Sequence, residues 1–173
     1  MITYQEENWT DVVEEMKPIF KIQWEEVGLN ATSRKGISLN PQWETYKILE
    51  SKNMLHVATV RKDKKLIGHY TSVIAPHLHS KDILVAQNDF LYVSKEHRKG
   101  LIGYKLIKFA VEKLKTKVHI ILLNMNVQHA FLPLTNKLGF KLTDYNVMLE
   151  AVSYTHLRAH ETSLHLVCRL LLE

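Results

Sequence analysis

Just beyond the middle of the chain, an apolar run leads into a cationic turn with two glycines and then into a helix pattern. The apolar run covers residues 84–93, and the helix pattern covers residues 100–115. A second apolar run at residues 118–124 follows. A strand, a helix and a strand in this succession predict an α/β fold in which helices pack against a sheet.

The patterns on either side of this unit extend it to one domain. Helix signals mark residues 11–26, 41–50 and 129–138, and strand signals mark residues 1–4, 54–61, 66–75 and 140–149. Pro18 interrupts the first helix, Pro41 stands at the first position of the second, and Asp63-Lys64-Lys65 turns a hairpin. The order β-α-α-β-β-β-α-β-α-β predicts a mixed sheet with helices on both faces.

The composition excludes several classes of protein. The chain has 173 residues, 46% of them apolar, which suffices for one domain with a real core. We find no run of the roughly 18 to 20 apolar residues that a membrane helix needs, and no signal-peptide pattern. Cys168 is the only cysteine, so an intramolecular disulfide cannot form. These features predict a soluble, cytoplasmic protein without membrane contact.

The C-terminal residues 152–173 change in character and resemble a translated sequencing adapter. The run Val152-Ser153-Tyr154-Thr155-His156-Leu157-Arg158-Ala159-His160-Glu161-Thr162 matches an in-frame translation of a transposase-type adapter, and residues 166–173 match the flow-cell sequence that follows it. The alternative is an amphipathic helix built on Leu164, Val167, Leu170 and Leu171. We expect residues 1–151 to form the domain and residues 152–173 to be a non-native tail.

The turn after the apolar run has the chemistry of a phosphate site. The first turn of a helix leaves backbone N–H groups without partners, and the helix dipole adds positive charge there. Gly100 and Gly103 allow close approach, while Arg98 and Lys99 add charge. A plain strand-to-helix turn with solvated cations is the alternative.

The net charge of +5 is compatible with two interpretations. Basic residues cluster at residues 61–65 and 95–99. Such clusters can mark a nucleic-acid partner, but the first one suits a hairpin turn on a solvated face. The second cluster directly precedes the glycine turn and belongs to the phosphate site described above. We therefore expect no nucleic-acid partner.

Two segments resemble the GNAT superfamily of N-acetyltransferases. Residues 89–106 resemble its central motif, Arg/Gln-x-x-Gly-x-Gly/Ala after the fourth strand; Arg98 and Gly103 match the outer positions. Leu101 stands where the inner glycine is usual, and Gly100 lies one place earlier. Residues 130–140, ending in Leu138-Gly139-Phe140, resemble the family's second motif, and the resemblance covers about residues 1–150.

The resemblance implies that acetyl-CoA lies in a gap between the fourth and fifth strands. It implies a cofactor site in which pantetheine pairs with the fourth strand and pyrophosphate contacts the turn. The implied cofactor-binding residues are Leu91, Tyr92, Val93, Arg98, Lys99, Gly100, Leu101, Ile102, Gly103 and Tyr104. The implied activity is acetyl transfer to a primary amine of a small molecule or protein.

The catalytic acid and base are less well marked. A primary amine must lose a proton before it attacks a thioester. Asp89 is the candidate base because the family often has an acidic residue there; a cap or salt-bridge role is the alternative. The family's tyrosine acid is replaced by Thr135. Tyr104, another tyrosine or water would then protonate the thiolate.

The remaining candidates indicate no metal site and leave the acceptor open. His77 and His79 alternate, but we find no third ligand at a recognisable spacing and expect loop histidines. The front helices and residues 28–40 and 76–84 should determine the small-molecule or peptide acceptor. The sequence is compatible with a homodimer. The alternative function is a GNAT-fold module that binds CoA or another partner without turnover, which Thr135 and the altered glycine turn support.

Overall fold

A five-stranded sheet forms the centre of the protein, which we describe from a computed structural model over residues 1–27, 38–125 and 131–144. The strands are β1 (Ile2–Glu6), β2 (Leu55–Lys62), β3 (Lys65–His77), β4 (Ser80–Val93) and β5 (Ile120–Leu122). They lie in the order β1-β2-β3-β4-β5. The pairs from β1 to β4 are antiparallel, whereas β4 and β5 are parallel.

Helices cover both faces of the sheet. They are α1 (Trp9–Val27), α2 (Trp43–Ser51), α3 (Ile102–Leu114) and the short α4 (Leu132–Lys137). Neighbouring residues of β2 point to opposite faces: Ala58 packs in the cluster that includes α3, and Val57 packs in the cluster of α1 and α2. The predicted mixed sheet with helices on both faces is confirmed. Among the described helices, none is long and apolar enough to cross a membrane.

The predicted hairpin between β2 and β3 is confirmed, with a tight two-residue turn. Asp63 and Lys64 have φ angles of 49° and 71°, which place both in the left-handed region that suits the right-handed twist of the flanking strands. Arg61, in the first basic cluster, does not lie free in solvent. Its guanidinium binds Glu7 at 3.0 Å and Glu15 at 2.8 Å.

Several predicted element boundaries differ from the observed ones. Helix α1 continues through Pro18. Helix α2 begins at Trp43 rather than Pro41, because Gln42 has a ψ of 72°, outside the helical range. Strand β5 is shorter than predicted, spanning Ile120–Leu122. Residues 140–144 are not a strand, and the rest of the predicted last strand, like most of the predicted loop 28–40, lies outside the described residues.

Candidate active site and cofactor cleft

The parallel strands β4 and β5 separate after three pairs. The register is Val85 with Ile120, Ala86 with Ile121 and Gln87 with Leu122. Beyond this point β4 continues to Val93 along β3, without further pairing to β5. The separation opens a gap beside the second half of β4, at the place where the sequence predicts the cofactor.

Asn88 links β4 and β5 at the point where they separate, which we call the fork. Its amide Nδ2 donates to the Asn124 carbonyl at 3.1 Å, and its Oδ1 accepts from the Asn124 backbone N–H at 2.5 Å. The side chain is nearly buried, with 8% of the residue exposed. The amide therefore replaces one strand pair and fixes where the gap begins.

Replacing Asn88 with alanine should lower the free energy of unfolding by about 1–2 kcal/mol, because both backbone groups of Asn124 lose their partner. Chemical denaturation of wild-type and variant proteins measures the change. Gln87→Ala is the control, since the neighbouring Gln87 side chain is exposed. Equal stability of N88A and wild type would show that the amide does not hold the fork.

Asp89 follows the fork directly and occupies a β-bulge. Thr71 of β3 pairs with Phe90, and the next residue, Ser72, pairs with Asn88, so that Asp89 is the extra residue. A bulge redirects a side chain and is common beside active sites. Two cavities of 480 and 300 Å³ share Asp89 and Val73 in their walls. The bulge thus presents the carboxylate to both cavities.

Tyr46 of α2 is the hydrogen-bond partner of Asp89. Its hydroxyl donates to Asp89 Oδ2 in a short contact. The ring is held by stacking on Trp9, with ring centroids 4.3 Å apart. Desolvation raises the pKa of the Asp89 carboxyl above its ordinary value, and the bond from Tyr46 offsets only part of the shift. Burial and the Asp89 charge also raise the pKa of Tyr46.

A cleft of 760 Å³ lies beside the second half of β4. Seven of the predicted cofactor residues line it: Leu91, Tyr92, Val93, Arg98, Gly100, Gly103 and Tyr104. The side chains of the other three do not line the cleft. Lys99 and Leu101 are exposed, and Ile102 packs against the core that α3 forms with the sheet.

The glycine turn fits a diphosphate group. Gly100 has a φ of 94°, in the left-handed region, and no atom of the described residues lies within 4 Å of the position that a Cβ would occupy. Leu101 then serves as the N-cap of α3 without a side-chain cap bond. The N–H groups of the first turn therefore remain as donors beside open space. Gly100, one place before the usual glycine, supplies the conformation that the turn requires.

Arg98 lies at the edge of the cleft with three partners. Its Nε donates to the Val93 carbonyl at 2.7 Å, and its guanidinium lies 5.3 Å from the centre of the Tyr92 ring. Its Nη2 binds the carboxylate of Glu26, near the end of α1. The arginine that the sequence assigns to phosphate is thus paired with an acidic side chain.

Thr135 and Tyr104 lie in different surroundings. Thr135 is 1% exposed, and its hydroxyl donates to the Leu132 carbonyl at 3.0 Å. It contributes to a separate cavity beyond β5 rather than to the cleft. Tyr104 lines the cleft. The structure brings Tyr104 together with Arg98 and the glycines, and places Asp89 in the two neighbouring cavities.

Sequence reasoning missed three residues of this site. Tyr46 contacts Asp89, Glu26 binds Arg98, and the Gln23 amide donates to the Leu91 carbonyl at 3.2 Å. Gln23 was detectable as a polar residue at helical spacing from the buried positions Met16 and Phe20 of α1. His79 lies in the β3–β4 turn as predicted, but His77 is the last residue of β3, where it pairs with Ser80. No group of three metal-ligating side chains occurs within the described ranges.

Comparisons with known proteins agree with this geometry. A predicted acetyltransferase from Clostridium acetobutylicum, solved with acetyl-CoA, is 18% identical and superimposes with a TM-score of 0.64 over 87% of this chain and 96% of its own. An aminoglycoside acetyltransferase from an uncultured soil metagenomic sample is 17% identical, with a TM-score of 0.60 over 88% and 95%. The ribosomal-protein-alanine N-acetyltransferase of Brucella melitensis is 15% identical, with a TM-score of 0.58 over 88% and 100%.

Sequence comparison identifies a family. No curated protein sequence matches the chain significantly. The family model described as "Acetyltransferase (GNAT) family" matches residues 9–140, which include the fork, the bulge, the cleft and the glycine turn. This chain therefore belongs to the GNAT family of acetyltransferases.

Proposed function

We propose that this protein transfers an acetyl group from acetyl-CoA to a primary amine of a small molecule or peptide. The observation that carries the proposal is the position of Asp89 on the strand that borders the cleft. Asp89 precedes Leu91 by two residues, or about 7 Å along a strand. A base at the bulge and a thioester beside Leu91 would therefore be neighbours. The solved relatives that act on aminoglycosides and on a ribosomal protein support an amine acceptor.

Acetyl-CoA supplies an activated acetyl group as a thioester. In the proposed reaction, Asp89 accepts a proton from the acceptor ammonium, so that the neutral amine can attack the carbonyl carbon. The C–N bond forms, the C–S bond breaks, the nitrogen releases its second proton to water, and the thiolate takes up a proton. Thr135 cannot supply it from its buried position beyond the cleft. The donor is either Tyr104 or water, and the Tyr104→Phe variant distinguishes them.

Different residues of the cleft would bind different parts of acetyl-CoA. The N–H groups at the start of α3 and the Arg98 guanidinium would hold the pyrophosphate. The edge of β4 from Leu91 to Val93 would hold the pantetheine arm. A thiol-release assay with polyamines, aminoglycosides, amino acids and peptide N-termini tests the proposal, and intact mass identifies the acetylated product. The absence of thiol release across the panel would contradict it.

The position of Thr135 also favours a second function, a GNAT-fold module that binds CoA without turnover. A buried hydroxyl that donates to a backbone carbonyl is not free to protonate a leaving group. Such a module would be stabilised by acetyl-CoA in a thermal melt but would release no thiol with any amine. The combined melt and thiol-release experiments separate the two functions.

Replacing Tyr46 with phenylalanine should move the acidic limb of the pH profile of kcat/KM to higher pH. The Tyr46 hydroxyl donates to the charged form of Asp89, so its loss raises the pKa of the carboxyl further. Phenylalanine keeps the stack on Trp9. Tyr4→Phe is the control, because Tyr4 packs in the α3 core. An unmoved limb in Y46F would show that Asp89 is not the titrating base.

A further inference from the structure

The end of α1 brings two carboxylates to the wall of the cofactor cleft. Glu25 and Glu26 both line the 760 Å³ cleft. The last turn of α1 contains no basic residue, so the negative end of the helix dipole adds to these charges. A cleft that fits a diphosphate therefore has an acidic side chain beside its main cation.

Glu26 is paired with the two cations that line the cleft, Lys95 and Arg98. Its Oε2 binds Arg98 Nη2, and its Oε1 lies 3.3 Å from Lys95 Nζ. The Glu26 side chain is only 13% exposed, whereas those of Arg98 and Lys95 are 43% and 70% exposed. Burial alone would raise the pKa of the Glu26 carboxyl, but the bonds from Arg98 and Lys95 outweigh burial and hold it below its ordinary value.

We propose that Glu26 competes with the diphosphate of the cofactor for Arg98 and so lowers the affinity of the cleft for acetyl-CoA. A diphosphate at the glycine turn would place several negative charges near the Glu26 carboxylate, which repels them. It would also draw on the guanidinium donors that Glu26 now occupies. The cofactor therefore binds more weakly, by the free energy needed to replace the Glu26 carboxylate with the diphosphate at Arg98.

The remaining contacts of Arg98 explain why Glu26 acts as a competitor and not as the support of the arginine. The Arg98 Nε donates to the Val93 carbonyl, and the guanidinium lies over the Tyr92 ring. Both contacts involve β4 and do not depend on α1. Arg98 would keep its place beside the turn after Glu26 is released.

Isothermal titration with acetyl-CoA and, separately, with inorganic pyrophosphate tests this role. The Glu26→Gln variant should bind each ligand about fivefold more tightly than wild type, equivalent to about 1 kcal/mol. Glu14→Gln is the control, an exposed carboxylate of the same helix that does not line the cleft, and should change affinity less than twofold. In an Arg98→Ala background, the gain from E26Q should be smaller, because the shared partner is gone.

Each outcome decides the inference. Unchanged or weaker pyrophosphate binding by E26Q would overturn it. Weaker binding would in addition identify Glu26 as a positioning residue for Arg98. No pyrophosphate binding by either protein would also overturn it. The inference rests on the proposed function for the identity of the cofactor alone. Failure of wild type to bind acetyl-CoA would contradict the proposed function, while the pyrophosphate titrations would still decide the role of Glu26.

Discussion

Replacing Asp89 with asparagine should lower kcat/KM for acetyl transfer by about 100-fold or more, the usual contribution of a general base. Asparagine keeps the size of the side chain and can occupy the bulge, but it cannot accept a proton from the acceptor ammonium. The Tyr46 hydroxyl can still donate to the amide oxygen, so the contact with α2 survives. Steady-state thiol release across pH 6–9, with the best amine of the panel, measures the loss.

The control for this variant lies in the β2–β3 turn. Asp63→Asn also removes one carboxylate, at an exposed position whose left-handed φ suits asparagine, and should leave kcat/KM unchanged. The affinity of D89N for acetyl-CoA should stay within about twofold of wild type, since Asp89 lines the two cavities beyond the cleft. A D89N enzyme with near-normal kcat/KM would assign the bulge carboxylate a purely structural role.

Gly68→Ala should lower the free energy of unfolding by about 3 kcal/mol, the upper end for an overpacked core site. A Cβ at Gly68 would lie 2.5 Å from the Tyr92 carbonyl oxygen, 3.0 Å from Val60 Cγ1 and 3.1 Å from Val93 Cα. Two of these atoms belong to the backbone of β4, which is paired with β3 at this point. Neither atom can move away without disturbing the strand pairing. The melting temperature should fall by about 10 °C. Calorimetry or thermal circular dichroism measures it.

The same substitution should weaken cofactor binding, because the displaced backbone of Tyr92 and Val93 borders the cleft. Gly103→Ala is the matched control for stability. Within the part of the chain that the structure describes, a Cβ there would meet only Val93 Cγ2, at 3.8 Å, and alanine favours the helix by up to about 1 kcal/mol. A melting temperature of G68A equal to that of wild type would show that β3 and β4 can separate at this point.

The parts of the fold that the sequence predicts are those specified by local patterns. The strand at residues 84–93, the turn at Arg98 and the helix after Gly100 follow one another along the chain, and each has its own periodicity or turn chemistry. The hairpin at Asp63 and Lys64 is predictable for the same reason. The ends of helices and strands are less predictable. Pro41 suits the first position of a helix, but the backbone of Gln42 is not helical and α2 begins at Trp43.

The parts of the site that the sequence does not predict depend on contacts between distant residues. The bulge at Asp89 exists only in the register with Thr71 and Ser72 of β3. The Tyr46 hydroxyl reaches Asp89 across 43 positions of sequence, and Arg98 reaches Glu26 across 72. Pair contacts of this kind leave no periodic pattern, so only the folded sheet and the packed helices reveal them.

The separation of β4 from β5 has a consequence for association with other chains. A strand that loses its neighbour exposes backbone groups to which a foreign strand can add, the usual start of β-aggregation. Here the Gln23 amide covers the Leu91 carbonyl, and Arg98 covers the Val93 carbonyl. Among the described residues, both acceptors are occupied by side chains, which disfavours addition of a foreign strand while the cleft holds no ligand. A pantetheine arm on this edge would have to displace these side chains or bind the strand through its N–H groups.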